Sequence, residues 1–361
     1  MARDLPVGTL LDSEDAAPAS IIAPKLNRHT FWCGQSGSGK TYALGVLLEQ
    51  VLLHTRLPLV VLDPNSDFVR LGETREDAPP EVVETLAARD IRVFRRGDPA
   101  RPLHARLLGM PLTSRAAILG IDPQNDAEIY NAMLHIEPEA QAVGQGQLLE
   151  FLRASDRDVL RRFAVRLENL GVIGWPLWAW GARSVTDDID EDPDATVIDL
   201  GSFDTHSEFR AAALAVLDHF WENRISRRPR LIVIDEAHNL CSPDPVDAVH
   251  ALLTERIVQI AAEGRKFGLW LLLSTQRPSK VHPNALSQCD NLALMRMNSV
   301  RDLEELASVF GYAPESLLAR SPEFAQGQAL FAGGFIPAPA VVQMGSRLTP
   351  EGGIDVPVPL R

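Results

Sequence analysis

The segment GQSGSGKT at positions 34–41 satisfies the pattern GxxxxGK[ST], with Gly34, Gly39, Lys40 and Thr41 at its fixed positions. Such a loop holds phosphate because small residues let the backbone curl until successive N–H groups point inward, and the start of the following helix adds partial positive charge. Gln35, Ser36, Gly37 and Ser38 supply the intervening peptide groups of that cradle. Lys40 would reach the β- and γ-phosphates, and Thr41 would set its hydroxyl on a magnesium ion. The bland alternative is a glycine-rich turn matching by chance. The apolar run before the loop and the helical spacing after it favour the phosphate site.

A second apolar run, Leu231, Ile232, Val233 and Ile234, leads into Asp235 and Glu236. Two carboxylates thereby stand at the end of a buried strand, Asp235 suited to holding magnesium and Glu236 to orienting and deprotonating an attacking water. Alone this pattern is weak. Joined to the upstream loop it makes a hydrolytic nucleotide site, with ATP and Mg2+ as its cofactors. Gln276 lies just past the apolar stretch LWLLLST and would face the γ-phosphate if its strand neighbours the one ending at Asp235. Asp63 ends another apolar strand, at the carboxyl edge where ligands bind in open α/β sheets.

These residues need a sheet whose strand ends converge. Residues 29–33, 59–62, 196–200, 231–236, 269–274 and 292–297 read as strands, and 42–53 and 206–223 as helices between them. That alternation predicts an α/β core with a mainly parallel sheet covered by helices. Between about 91 and 195 the pattern changes to Leu, Ala and Arg at helical spacing, apart from IRVF, and reads as a helical insertion with helices at 126–135, 147–152 and 156–170. Trp175, Trp178 and Trp180 read as packing residues of that insertion rather than platforms for bases. TDDIDEDPD at 186–194 reads as a solvated acidic loop, and 328–361 as an edge hairpin followed by an extended arm. The resulting division is an N-terminal extension at 1–28, a nucleotide-binding domain at 29–345 with its insertion at 91–195, and a C-terminal arm at 346–361.

Hydrophobic residues make up 45% of the 361 and charged residues 23%, enough for a substantial core. The formal net charge of −13 argues against a surface that coats nucleic acid and leaves room only for a local basic lining, for which Arg277, Lys280, Arg95 and Arg96 are candidates. Cys33, Cys241 and Cys289 show no CxxC spacing and read as reduced and buried. No run of about 18 apolar residues and no basic-then-apolar leader occurs, so the expectation is a cytoplasmic chain without a membrane partner.

Taken together, GQSGSGKT, LDPNSDF (62–68), VIDEAHN (233–239), EGRKFG (263–268) and STQRPSKVHPNALSQCDN (274–291) resemble the HerA branch of the HerA/FtsK ATPases. The resemblance covers about 28–90 and 196–345. It implies a RecA-like P-loop NTPase core in a homo-oligomeric ring, expected to be a hexamer, that couples ATP hydrolysis to movement along double-stranded DNA beside a nuclease or other effector. Carried onto this chain, it makes Lys40 and Thr41 the loop contacts, Asp235 and Glu236 the magnesium and water residues, and Gln276 a polar sensor. It also makes Arg265 a cation reaching the nucleotide of the neighbouring subunit, where the residue alone reads as a solvated helix-end charge. Two departures accompany it. Only about 28 residues precede the first expected core strand, too few for the family's N-terminal β-barrel. The second-strand motif, commonly Asp-Pro-His-Gly-Glu, here runs Asp63, Pro64, Asn65, Ser66, Asp67.

The leading expectation is thus a DNA-translocating ATPase or helicase. The alternative is an oligomeric ATP switch or scaffold that activates a partner effector. A small-molecule kinase is disfavoured because Glu236 is suited to activating water.

Overall fold

Strands that are apolar on both faces belong in the middle of a layered structure, with helices on either side. The computed structural model, which describes residues 4–12, 16–140 and 145–353, follows that rule. Its strands are β1 (Leu5–Leu10), β2 (Pro18–Ile21), β3 (His29–Cys33), β4 (Leu59–Asp63), β5 (Ile91–Arg95), β6 (Ala195–Asp199), β7 (Arg230–Ile234), β8 (Leu269–Thr275), β9 (Cys289–Met295), β10 (Gln328–Gly333) and β11 (Ala340–Met344). They form one 11-stranded sheet in the order β2-β1-β11-β10-β9-β3-β8-β7-β4-β6-β5. From β9 to β5 neighbouring strands are parallel, and β10, β11, β1 and β2 continue the sheet antiparallel. β3, β4, β6 and β7 are buried at every position.

Side chains alternate between two cores. Phe31, Cys33, Val60 and Leu62 face one, and Trp32, Leu59 and Val61 face the other. Helices α1 (Lys40–His54) and α2 (Pro80–Ala87) cover the second core. The first is covered by the insertion helices α3 (Leu112–Ile118), α4 (Ala127–Ala140), α5 (Gln145–Ala154), α6 (Asp158–Leu170) and α7 (Val185–Ile189), then by α8 (His206–Glu222) and α9 (Ala248–Glu263). The three expected insertion helices correspond to α4, α5 and α6. In α6, Leu160, Phe163, Ala164 and Leu167 recur on one buried face, as an amphipathic helix requires. Trp178 is buried, donates its indole N–H to the Val172 carbonyl at 2.7 Å and stacks on Trp175, so both pack as expected. Cys33, Cys241 and Cys289 are free and buried. Among the described residues no helix is long and apolar enough to cross a membrane.

Several expectations differ from the structure. IRVF is the edge strand β5, so the helical stretch begins only after Arg95. The hairpin β10–β11 lies inside the sheet, because β1, from the stretch read as an extension, pairs with β11 and β2 forms the edge. Gly8 permits that pairing: its φ is +156° and a Cβ there would collide with the Gln343 carbonyl. TDDIDEDPD is no simple solvated loop. Ser184 and Asp187 form a capping box on α7, and its acids hold Arg92, Arg106, Arg183 and Arg230 in ion pairs. Of the expected C-terminal arm, residues 354–361 lie outside the described residues, and 345–353 are packed into the protein.

Candidate functional site

The loop after β3 has the backbone that its glycines allow. Gly37 and Gly39 take φ of +74° and +86°, a region that costs a side-chain-bearing residue free energy, and α1 starts at Lys40 with Gly39 as its N-cap. Neighbouring strand ends anchor the loop. The Gly34 N–H donates to the Thr275 carbonyl at 3.3 Å, the Gln35 N–H to the Arg296 carbonyl at 2.9 Å, and Arg296 Nη2 to the Gly37 carbonyl at 3.0 Å. Because β8 and β9 flank β3, their carboxyl ends hold this cradle from both sides.

Lys40 Nζ donates to Asp235 Oδ1 at 2.8 Å and to Ser274 Oγ at 2.9 Å, and lies 3.3 Å from Glu236 Oε1. Burial would lower the Lys40 pKa, but the two carboxylates more than offset it and raise it, so the ammonium stays charged. Ser274 Oγ donates to the same Asp235 oxygen at 2.7 Å, while Asp235 Oδ2 is buried without a partner.

Glu236 has φ +43° and ψ 49°, a left-handed conformation uncommon for a residue with a side chain. The Gln276 amide donates to Glu236 Oε1 at 2.9 Å, the Gln276 N–H approaches Oε2 at 3.3 Å, and His238 Nδ1 lies 3.2 Å from Oε2 and 3.0 Å from Thr275 Oγ1. Burial pushes the Glu236 carboxyl up, yet the bond from His238, the charge on Lys40 and the Gln276 amide together hold it down to about 2. It is an anion fixed by neighbours on two strand ends. Local strain retained at such a place is a pointer to function.

Asp63, at the end of β4, is buried and accepts the Asp67 and Phe68 N–H groups at 3.0 and 2.8 Å. Burial moves its carboxyl up to about 7, and burial with the Asp235 charge moves Asp67 up to about 6. One oxygen from each of Asp63, Asp67 and Asp235 lies within 4.8 Å of the others. Together with the unpartnered Asp235 Oδ2, this all-oxygen set fits a hard divalent cation such as Mg2+, whose binding would favour the ionised forms that burial disfavours at Asp63 and Asp67.

Gln35, Ser36, Gly37, Gly39, Lys40 and Thr41 line a cleft of about 610 Å³ with Asp67 and Gln276. Ser38 is buried beneath it. The structure therefore brings together the loop, Asp63, Asp235, Glu236 and Gln276. Arg265 is elsewhere. It precedes β8, whose seven residues at about 3.3 Å each separate it by roughly 20 Å from the Thr275 end, and it pairs with Asp290 at 2.9 Å. Its guanidinium cannot serve the cleft of its own chain.

Sequence reasoning gave no site role to His238, Ser274 or Asp67, although all three stand inside the quoted motifs. It also passed over the segment 345–353, which forms another wall of the cleft through Gly345, Ser346, Glu351 and Gly353. This segment is pinned to both sides of the site. Glu49 of α1 accepts the Leu348 and Thr349 N–H groups and the Thr349 hydroxyl at 2.8, 2.8 and 2.6 Å. The Arg347 N–H donates to Tyr42 Oη at 2.7 Å, and the Gly352 N–H donates to the Asp67 carbonyl at 3.1 Å. The Arg347 side chain, fully buried, lies over Gly45, where any Cβ would strike its guanidinium, and over the Phe68 ring.

Residues 5–165 match the family described as Helicase HerA, central domain. The chain is 30% identical over 161 residues to the DNA double-strand break repair helicase HerA of Sulfurisphaera tokodaii, a match covering 41% of this chain and 31% of that protein. It is 28% identical over 116 residues to the HerA of Pyrococcus furiosus, covering 32% and 20%. The matches thus span a fifth to a third of those relatives' lengths. Among solved structures, VirB4 of Thermoanaerobacter pseudethanolicus superposes with a TM-score of 0.67 at 15% identity, covering 96% of this chain and 97% of that one. The bacterial conjugative coupling protein TrwB gives 0.60 at 14% identity, covering 98% and 93%. These likenesses show a RecA-like fold.

Proposed function

We propose that the chain carries a P-loop ATPase core of the HerA/FtsK type and works as an ATP-hydrolysing motor on double-stranded DNA, assembled as a ring of identical subunits. The observation that carries this reading is the Gln276–Glu236 bond. It ties the residue suited to activating water to the end of β8, and through it to an exposed basic loop. In the proposed cycle the loop N–H groups and Lys40 take the phosphates, which draws Lys40 away from Asp235 and Glu236. Glu236, freed of that cation, becomes a stronger base and receives the proton of a water oriented with Gln276. Asp63, Asp67, Asp235 and the Thr41 hydroxyl would hold Mg2+, which offsets phosphate charge when bound.

Arg277 follows Gln276 directly and Lys280 lies three residues further on; both are exposed and have no carboxylate partner among the described residues. Arg95 and Arg96 are instead paired with Asp199 and Asp204. The loop at 277–280 is therefore the better candidate to meet DNA phosphates, and movement there would register at Gln276. The expected result is ATP turnover that rises with duplex DNA and a stimulation that fades steeply as salt is raised from about 50 to 200 mM, read in a steady-state phosphate-release assay. Turnover indifferent to DNA and salt would favour an ATP switch acting on an effector such as a nuclease.

Arg265 stands at the sheet edge opposite its own cleft, the placement a cation needs to serve the next subunit. Mixing Arg265→Ala with Lys40→Ala chains should therefore restore part of the turnover that each lacks, since some interfaces then pair an intact loop with an intact arginine. Mixed assemblies, verified by mass, that show no recovery would remove Arg265 from that role.

A further inference from the structure

The triphosphate has a direction in this cleft. Glu236, Gln276 and Lys40 mark its γ end, and the first-turn N–H groups of α1 run from Lys40 through Thr41 to Tyr42, so the nucleoside must leave on the Tyr42 side. There the wall changes character. It is made by the turn before β10 and the end of β11, through Gln326, Gly327, Gln343, Gly345 and Ser346, with no charged side chain among them.

That wall is joined rigidly to the phosphate loop. The Gly327 N–H donates to the Ser38 carbonyl at 2.9 Å, and the Gly327 carbonyl accepts the Met344 N–H at 2.9 Å. Gly327 has φ +79°, and a Cβ there would lie 2.9 Å from Gln343 Nε2. Glycine at this position thus keeps the space beside the Gln343 amide open.

We propose that this wall is the nucleoside site, in which Gln326 and Gln343 read the edge of the base, and that it accepts adenine and guanine nucleotides alike. The proposal rests on the reading of the Lys40 loop as a triphosphate cradle. Its second half follows from the readers' chemistry. A purine edge presents donors and acceptors in an order that differs between adenine and guanine. A carboxamide carries one acceptor oxygen and one donor NH2, and a half-turn about its last torsion exchanges them. Neither base need then leave a buried polar group unpaired, which is the usual source of strong discrimination.

The test is a set of binding titrations with Mg2+ on the full chain, using ATP, GTP and inorganic tripolyphosphate as probes, for the wild type, Gln343→Ala and Gln326→Ala/Gln343→Ala. Thermal melts confirm that the variants fold. The wild type should bind ATP and GTP within about threefold of each other and both at least about tenfold more tightly than tripolyphosphate. The double variant should lose that nucleoside advantage while tripolyphosphate binds as before. Unchanged ATP affinity in the double variant, or an equal loss for ATP and tripolyphosphate, would overturn the site. A preference above about tenfold for one purine would overturn the amide-reading argument. A wild type that binds tripolyphosphate no better than background would bring down the cradle reading itself, and this proposal with it.

Discussion

Glu236→Gln is expected to lower the single-turnover rate of ATP hydrolysis by about 10²–10⁴-fold while nucleotide affinity stays within a few-fold of the wild type. The substitution keeps the shape of the side chain and its unusual backbone, but replaces the anion that Gln276 and His238 hold in place. A carboxamide cannot take a proton from water at neutral pH, whereas a carboxylate held down to about 2 is fully ionised there. With Lys40 bonded to it, such a carboxylate is a poor base. It gains basicity only when Lys40 turns to phosphate, so hydrolysis is tied to correct occupation of the loop. Binding should persist because the groups that take the phosphates, Lys40 and the loop peptides, are left intact, and Lys40 still has Asp235 at 2.8 Å as its partner before nucleotide arrives. Rapid-quench measurement of product in one turnover, beside equilibrium binding of a fluorescent nucleotide, separates the two effects. A variant hydrolysing at the wild-type rate would assign water activation to another group.

The residues that could be read from the chain are those whose chemistry is written in consecutive positions. GQSGSGKT and LIVIDE each place a function at a strand end within a few residues, and the parallel sheet sets the ends of β3, β7 and β8 side by side without further information. Gln276 could be anticipated because it directly follows Thr275, the last residue of its strand. His238 and Asp67 were in view, yet their roles depend on backbone turns, at Glu236 and after Asp63, that motif spacing does not disclose. β1 and β2 escaped because they are short, contain Pro6, Gly8 and Pro18, and depend on distant pairing, β1 with β11 and β2 with β1. The wall at 345–353 had no local sign at all, since Glu49 meets Leu348 and Thr349 across almost the whole chain. Its one trace was Gly45, an isolated glycine in an otherwise apolar helix, which commonly marks close packing.

Arg347→Ala is expected to cost about 3–5 kcal/mol of unfolding free energy, read from urea titrations, because it leaves the Glu49 carboxylate buried without its cation. Both groups are wholly inaccessible, and burial shifts each against its charge: Glu49 is raised and Arg347 lowered from their ordinary values. The guanidinium stands 3.8 Å from Glu49 Oε1 and 3.6 Å from Glu351, and rests on Phe68, so the truncation removes charge and packing together. The pair itself need not be net stabilising, since two apolar residues of similar volume often replace such ions at little cost. A double substitution, Glu49→Gln with Arg347→Met, which keeps an acceptor for the Leu348 and Thr349 N–H groups, should accordingly be less destabilised than Arg347→Ala alone, a coupling that additive losses from the two sites would refute. The loss also reaches the site. Residues 345–353 hold α1 through Glu49 and Tyr42 and hold the Asp67 loop through Gly352, so loosening them relaxes the distance between the phosphate cradle and the carboxylates meant for the cation. The Arg347→Ala chain that remains folded should therefore need more Mg2+ than the wild type to bind nucleotide tightly, measured as the midpoint of a Mg2+ titration with a fluorescent nucleotide. An unchanged midpoint would confine Arg347 to holding the fold together.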